Sequence, residues 1–170
     1  MKKRLQALVV LLVGVAAMLG LAISSASSAS AATVGAQNFT IVQNDASATT
    51  SPVLATGVIH ARGTDRTLSN TADVFRFRRG SLLVIHHKVA GTDTGLDRTT
   101  CLDRFTERGT YRIAAGSRLY RGATGRGVYN VNGLILFQKS PITGRCLTNA
   151  TPNVFVSVVD ATGTIRLPLV

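Results

Sequence analysis

Apolar and polar side chains alternate with a period of two along much of the chain, and glycines interrupt the alternation at short intervals. Phe75 and Phe77 share one face of such a stretch, while Arg76 and Arg78 share the other. Because successive side chains of a strand point to opposite faces of its sheet, this alternation is typical of half-buried β-strands. Short strands with regularly spaced turn signals predict an all-β sandwich or barrel.

The same alternation places the individual strands. We expect a hairpin that turns at Arg79-Gly80, and one long strand, 100–114, with a bulge at Gly109. Polar stretches at 45–52, 92–99 and 140–152 are interpreted as loops. The predicted strands are 38–43, 53–62, 73–78, 81–89, 100–108 with 110–114, 125–138, 153–160 and 164–167.

Composition after residue 31 supports strands over helices. That part of the chain holds a single Glu, two Lys and no Met, whereas Thr and Gly abound. Strong helix formers are therefore scarce, and β-branched residues, which favour strands, are common. Residues 32–170 are sufficient for one domain with one core.

The first 31 residues have the features of a secretory signal peptide. Lys2, Lys3 and Arg4 precede an apolar run, 8–23, and small residues end in Ala29-Ser30-Ala31, an A-x-A cleavage pattern. The alternative is a retained membrane anchor, but the apolar run is short for a span and no stop-transfer charges follow it. We therefore expect a signal peptide at 1–31, a single β-barrel domain at 32–170, a secreted protein, and no membrane span once the leader is removed.

Export also bears on the two cysteines, Cys101 and Cys146. Because an exported chain meets oxidising conditions, the pair predicts one disulfide. Two free thiols or a metal-binding pair are the alternatives. No histidine cluster accompanies the cysteines, so no metal site is expected.

Loss of Lys2, Lys3 and Arg4 with the leader lowers the formal net charge from +11 to +8. Nucleic-acid binding is not expected, because the arginines are spread over most strands and aromatic stacking platforms are few, with no Trp. An anionic polymer of the cell envelope is a more suitable partner for an exported protein, and a solvated basic surface is the alternative. The candidate anion-binding residues are Arg76, Arg78, Arg118, Arg121 and Arg126.

Inward-facing ionisable side chains are the candidates for chemistry. In 102–113 the even positions are mostly Arg and Thr, which leaves Asp103, Glu107 and Tyr111 on the inner face. In 82–89 the odd positions are taken as the inner face, which includes His87. Each of the four could act in acid–base catalysis. The alternatives are that the two carboxylates pair with inward arginines, lie solvated at a rim or change face at a Gly109 bulge, and that His87 is a hydrogen-bonded core residue.

Residues 109–129 resemble a segment of the allene oxide cyclase and dirigent-like barrel superfamily, in which a strand leads into a turn of the form G-G-T-G-x-Y-x-G-A-x-G. The matching residues are Gly116, Tyr120, Gly122, Ala123 and Gly125. The chain departs from the pattern in two places, at Ala115 and at Arg118-Leu119.

The resemblance implies a bacterial secreted member with a small antiparallel, calycin-like barrel of about eight strands. Enzymes of that superfamily cyclise or couple small apolar molecules inside the barrel. Their catalytic residues do not map onto this chain, so none is transferred. Tyr120, in the matching turn, is expected to cap one end of the barrel, and no cofactor motif is present.

Three hypotheses follow. The first is a secreted, non-catalytic barrel that holds a small apolar ligand. The second is a cyclase- or dirigent-like enzyme, of isomerase type, that acts on a small apolar substrate inside the barrel. The third is a binder of anionic cell-surface polymer. A hollow interior with ionisable side chains in its wall is required by the second hypothesis but not by the first. The sequence indicates no oligomeric state.

Overall fold

The computed structural model of the chain describes residues 32–169, so the predicted signal peptide at 1–31 lies outside the described residues. The described part consists of eight strands and one short 3₁₀ turn, Arg118–Tyr120. The strands are β1 (Ala32–Gln43), β2 (Thr50–Gly57), β3 (Ala61–Ser69), β4 (Ala72–Phe77), β5 (Gly80–Asp93), β6 (Leu102–Gly116), β7 (Thr124–Leu136) and β8 (Val154–Pro168). No helix within 32–169 is long and apolar enough to cross a membrane.

The eight strands form a closed antiparallel barrel. Each strand pairs with the next one along the chain, and β8 pairs with β1 over the full length of β1. Closure leaves none of the eight described strands with a sheet edge exposed to other chains. The predicted fold class, a small antiparallel barrel of about eight strands, is confirmed.

Strand boundaries differ from the prediction where a glycine or a turn is involved. The predicted strand 53–62 is in fact the end of β2 and the start of β3, because Gly57, with a φ of 123°, adopts a left-handed conformation that turns the chain. The buried amide of Gln37 holds this turn: it donates to the Ile59 carbonyl and accepts from the Ile59 N–H. The predicted strands 153–160 and 164–167 are one strand, β8.

The bulges lie elsewhere than predicted. Pairing of β5 with β6 shifts between Lys88 and Ala90, which makes Val89 the extra residue on β5. A second shift makes Ala114 the extra residue on β6. The predicted bulge at Gly109 is wrong, because Gly109 stays in the inward alternation of β6 opposite Lys88.

The two ends of the barrel are built differently. At the end that holds the 3₁₀ turn, here called the closed end, Tyr120 is buried and its ring packs edge-on against Phe77 at 5.9 Å. The expectation that Tyr120 caps the barrel is therefore confirmed. The opposite end, here called the open end, carries the loops 44–49, 70–71, 94–101 and 137–153.

The predicted disulfide between Cys101 and Cys146 is confirmed, and it joins the two longest loops of the open end. The two Cα atoms are 5.4 Å apart. In the chain-entropy account, a disulfide between residues 45 positions apart stabilises the fold by about 4 kcal/mol, because it restricts the conformations of the unfolded chain.

Candidate functional site

The barrel is hollow over part of its length. Its interior holds a cavity of about 220 Å³ that reaches the open end at Ser69 and Asn70, both exposed. The apolar part of the wall is formed by Phe39, Ile41, Phe75, Val84, Val131, Val159 and Ala161. The polar part is formed by Gln43, Asp65, Thr67, Ser69, Asn70, Asp73, His86, Glu107, Tyr111 and Tyr129.

Glycines in the wall make room for the tyrosine rings. A Cβ atom on Gly109 would lie 2.5 Å from the Tyr129 ring, and one on Gly127 would lie 2.6 Å from the Tyr111 ring. Each ring therefore packs against a strand backbone that carries no side chain at that point. This close packing of rings on glycines positions both tyrosines in the cavity wall.

One pair of ionisable side chains links β4 and β5. The His86 Nε2 atom lies 3.0 Å from Oδ2 of Asp73, and both residues line the cavity. The hydrogen bond to Asp73 raises the pKa of the His86 imidazole, against the opposing effect of burial. The imidazole also packs edge-on to the Tyr129 ring, with the ring centres 5.8 Å apart.

A second group is centred on Glu107 of β6. The Tyr129 hydroxyl donates to Oε1 of Glu107 at 2.7 Å, and the Lys88 ammonium lies 3.0 Å from Oε2. Burial acts to raise the pKa of the Glu107 carboxyl, but the bonds from Tyr129 and Lys88 outweigh it and the pKa is lowered. Burial and the Glu107 carboxylate together raise the pKa of Tyr129.

Two further polar side chains of the wall each have an atom without a hydrogen-bond partner in the part of the chain that the structure describes. Asp65 and Tyr111 are only 4% and 5% exposed, and neither Oδ1 of Asp65 nor the Tyr111 hydroxyl has a hydrogen-bond partner within the described residues. Burial, followed by repulsion from Asp73, raises the pKa of Asp65 to about 7. Burial also raises the pKa of Tyr111 to about 12.

Of the four predicted acid–base residues, Glu107 and Tyr111 lie in the cavity wall. Asp103 does not line the cavity; burial, with a hydrogen bond and repulsion from Asp93, raises the pKa of its carboxyl. The alternative that Glu107 pairs with an inward arginine is wrong, since its cationic partner is Lys88.

The prediction that His87 faces inward is wrong. His87 is exposed, and its neighbour His86 lies in the cavity wall. The reason is the pairing of β5 with β4: Phe75, which is buried, lies opposite Leu82, so the even positions of β5 face inward up to Lys88. Both faces of this part of β5 are apolar, with Leu83 and Ile85 on the outer one. Alternation alone therefore did not distinguish the two faces.

Sequence reasoning missed Asp65, Asp73 and His86. Asp73 shares the odd-numbered face of Phe75, so the alternation that identified the aromatic pair also pointed to Asp73. Asp65 lies in a stretch for which no strand was predicted, although polar outward positions such as Arg62 and Arg66 flank it with a period of two.

The five predicted arginines are all exposed, and none forms an ion pair with any Asp or Glu side chain of the described chain. Arg76 lies on β4 and Arg126 on β7, the latter directly opposite Arg112 of β6. The turn after β4 and the 3₁₀ turn lie side by side, because the Leu119 N–H donates to the Arg79 carbonyl at 3.3 Å. These two turns carry four arginines, here called the closed-end arginine cluster: Arg78, Arg79, Arg118 and Arg121.

The described residues contain no group of three or more His, Cys, Asp or Glu side chains placed to hold a metal ion. Comparisons of the chain with protein-family models, with curated proteins and with solved structures find no match.

Proposed function

We propose that the chain is an acid–base enzyme of isomerase or cyclase type, acting on a small, mostly apolar molecule that enters the barrel at its open end. The observation that carries the proposal is a hollow, largely apolar cavity into which several ionisable side chains converge. A non-catalytic carrier of an apolar ligand needs only the apolar wall. A carrier function would therefore not explain why ionisable side chains line the cavity.

The energetics support this interpretation. Burial of a carboxyl group without full hydrogen bonding costs several kcal/mol, and apolar side chains of similar volume serve stability as well or better. Asp65 is buried with one oxygen unpaired, close enough to Asp73 for mutual repulsion. Such an arrangement is unfavourable for folding alone, which favours a role in chemistry for the cluster.

His86 is the residue best placed to carry protons. Its Nε2 atom is bonded to Asp73, which leaves Nδ1 for a substrate proton. Imidazole is the side chain whose ordinary pKa of about 6.5 suits proton transfer near neutral pH, and the hydrogen bond to Asp73 raises the pKa of His86 from that value. A proton passes from a substrate atom to Nδ1 and returns from the imidazolium to a different atom, so the rearrangement needs no oxidant or reductant. Asp73 acts as a positioning residue that orients the ring.

The size of the cavity limits the substrate. A buried apolar cavity of about 150 Å³ holds benzene, so about 220 Å³ accepts a molecule somewhat larger than a single ring. The resemblance of residues 109–129 to allene oxide cyclase and dirigent-like barrels agrees with this choice, because those enzymes act on small apolar molecules inside a barrel.

The test is proton exchange at carbon. A panel of small ketones, enones and epoxides is incubated in D₂O with the protein, and deuterium incorporation and rearranged products are followed by NMR. We expect exchange with the wild type and a loss of about 100-fold or more in His86→Asn. The matched control is His87→Asn, one residue away and outside the cavity, which should retain wild-type rates.

Two results would contradict the proposal. Equal rates in the two histidine variants would exclude His86 as the proton carrier. Binding of panel compounds in the cavity with no exchange or rearrangement of any of them would instead support a ligand carrier.

A second candidate function rests on the closed-end arginine cluster. We propose that these arginines bind an anionic polymer of the cell envelope. The supporting observation is charge segregation: the turns 58–60, 78–79 and 117–123 of the closed end contain no acidic residue, while they present four arginines on two adjacent turns. Guanidinium groups bind phosphate and carboxylate groups with two parallel hydrogen bonds. Salt-dependent retention on a polyanion resin measures this binding.

A further inference from the structure

Asp65 and Tyr111 lie on different strands, β3 and β6, and line the same cavity. The Phe39 ring links the two positions. Its centre is 6.2 Å from the centre of the Tyr111 ring and 5.1 Å from that of Phe75, the residue that pairs with Asp65. Both polar groups are more than nine-tenths buried, and both lack a hydrogen-bond partner among the described residues.

A buried polar group without a hydrogen-bond partner is unfavourable for folding, so two of them in one cavity wall need an explanation. The proton of the Tyr111 hydroxyl requires an acceptor. A purely apolar ligand or a cation offers none. A ligand carboxylate would accept it, but it would meet the Asp73 and Glu107 carboxylates in the same cavity.

The protonation state of Asp65 also favours a ligand that accepts hydrogen bonds. Its charged or titratable neighbours are Asp73 on β4, which opposes ionisation, and His86 on β5, which favours it; its partner on β2 is Ser51, which carries no charge. Burial outweighs the effect of His86, and with a pKa of about 7 the carboxyl holds its proton in most molecules at pH 6. A protonated carboxyl is a hydrogen-bond donor, as the Tyr111 hydroxyl is.

We propose that the cavity takes a small carbonyl compound, a ketone or an enone, whose oxygen is held by hydrogen bonds from the Tyr111 hydroxyl and from the Asp65 carboxyl group. This inference rests on the proposed function, because it names the substrate class of the same site. A carbonyl oxygen has two lone pairs and no proton of its own, so it can satisfy two donors and leaves no polar hydrogen facing the apolar wall. Two donors on a carbonyl oxygen also stabilise the negative charge that develops there when a neighbouring proton is removed.

The experiment compares three probes of nearly the same shape at pH 6. Acetophenone carries the carbonyl, α-methylstyrene replaces its oxygen with a CH₂ group, and 1-phenylethylamine replaces it with an ammonium. Affinities are measured by calorimetry. We expect the wild type to bind acetophenone about 30-fold more tightly than α-methylstyrene, which is the factor that two net hydrogen bonds of about 1 kcal/mol each give.

Variants assign the preference to the two residues. Tyr111→Phe and Asp65→Leu should each reduce the acetophenone preference about 3- to 5-fold, while α-methylstyrene binding stays within about 2-fold. The matched control is Tyr120→Phe, a tyrosine that packs at the closed end and does not line the cavity. Infrared spectroscopy is the second readout. The C=O band of bound acetophenone should lie at lower frequency in the wild type than in Tyr111→Phe, which loses only a hydroxyl that has no hydrogen-bond partner within residues 32–169.

The outcomes separate the two proposals. If none of the three probes binds, the barrel is not a site for small apolar molecules, and the proposed function fails together with this inference. Equal binding of acetophenone and α-methylstyrene would overturn the carbonyl assignment alone. Tighter binding of 1-phenylethylamine, or a preference unchanged in Tyr111→Phe or in Asp65→Leu, would also overturn it.

Discussion

Among single side chains, Asp65 couples the chemistry of the cavity to the stability of the barrel. Its pKa rises from an ordinary value near 3.8 to about 7 on folding, chiefly because burial disfavours the charged carboxylate. The folded protein therefore holds this proton more tightly than the unfolded chain does. The stability that this proton contributes is fully present below pH 3.8 and is lost as the pH rises to about 7.

We predict that the free energy of unfolding falls between pH 5 and pH 8, and that Asp65 accounts for roughly 2–3 kcal/mol of the fall. Urea unfolding at the two pH values measures the change. In Asp65→Asn, which cannot ionise, this part of the pH dependence should disappear. His86, whose pKa is also raised, contributes in the same direction. Because the Asp65 charge is one of the causes that raise the pKa of His86, the difference between the two proteins reports Asp65 together with its effect on His86.

Asp160→Asn is a suitable control, because it removes one exposed acidic residue outside the cavity wall. It should leave the pH dependence between pH 5 and pH 8 close to that of the wild type. A wild type and an Asp65→Asn variant that lose equal stability over this range would show that Asp65 is not held protonated by burial.

Within the strands, inward-facing glycines decide where the aromatic side chains lie. On β6, Gly109 faces inward and lies beside the ring of Tyr129 on β7, the strand with which β6 pairs. The same arrangement occurs at Gly133, where an added Cβ atom would lie 2.1 Å from the Phe105 ring. Aromatic rings that cover glycines on a neighbouring strand are a known means of stabilising curved sheets.

We predict that Gly109→Ala destabilises the barrel by about 2 kcal/mol. The added methyl group would lie 2.2 Å from the His87 carbonyl oxygen and 2.5 Å from the Tyr129 ring, and a backbone oxygen cannot move aside easily. Displacement of the ring should also weaken the hydrogen bond from Tyr129 to Glu107. Thermal unfolding gives the loss of stability.

The matched control is Thr110→Ala, the next residue on β6, whose side chain is exposed on the outer face. It should change stability by no more than about 0.5 kcal/mol. A Gly109→Ala variant as stable as this control would show that Tyr129 does not need the space that the glycine leaves.

Over the barrel as a whole, the two ends differ in charge as well as in shape. The loops of the open end carry both signs of charge, Asp45 and Asp97 together with Arg98, Lys139 and Arg145, and Asp65, Asp73 and Glu107 line the cavity that reaches this end. The closed end carries the arginine cluster on turns without acidic residues. A basic surface on one end and a cavity that opens at the other allow the two proposed activities to coexist.

We predict that Arg118→Gln/Arg121→Gln elutes from a polyanion resin at clearly lower salt than the wild type. The affinity should also depend less steeply on salt concentration, because a protein that makes fewer ionic contacts releases fewer counterions on binding. Chromatography over a salt gradient measures both. The control is Arg104→Gln/Arg108→Gln, which removes the same charge from the outer face of β6. Equal elution of the two variants would mean that only the net charge matters and would contradict a closed-end site.

Local sequence patterns were sufficient to predict much of the structure of this molecule. Alternation in 102–113 correctly indicated the exposed arginines and threonines of β6 and the inward Glu107 and Tyr111, because the two faces of that stretch differ clearly in polarity. The all-β class and the Cys101–Cys146 disulfide also followed from composition and from the predicted compartment. These properties depend on a residue and its near neighbours in the chain, which is the information that a sequence pattern contains.

The cavity and its chemistry depended on relations between strands. Whether His86 or His87 faces inward was decided by the pairing of β5 with β4, and the extra residue at Val89 then reversed the alternation further along β5. A change of one residue in register moves every following side chain to the other face, and no local pattern records it. Asp65 and Tyr111, 46 positions apart in the sequence, line one cavity only because eight strands close into a barrel. Burial in that cavity, rather than the identity of either residue, gives their polar groups the unusual properties on which the proposed chemistry rests.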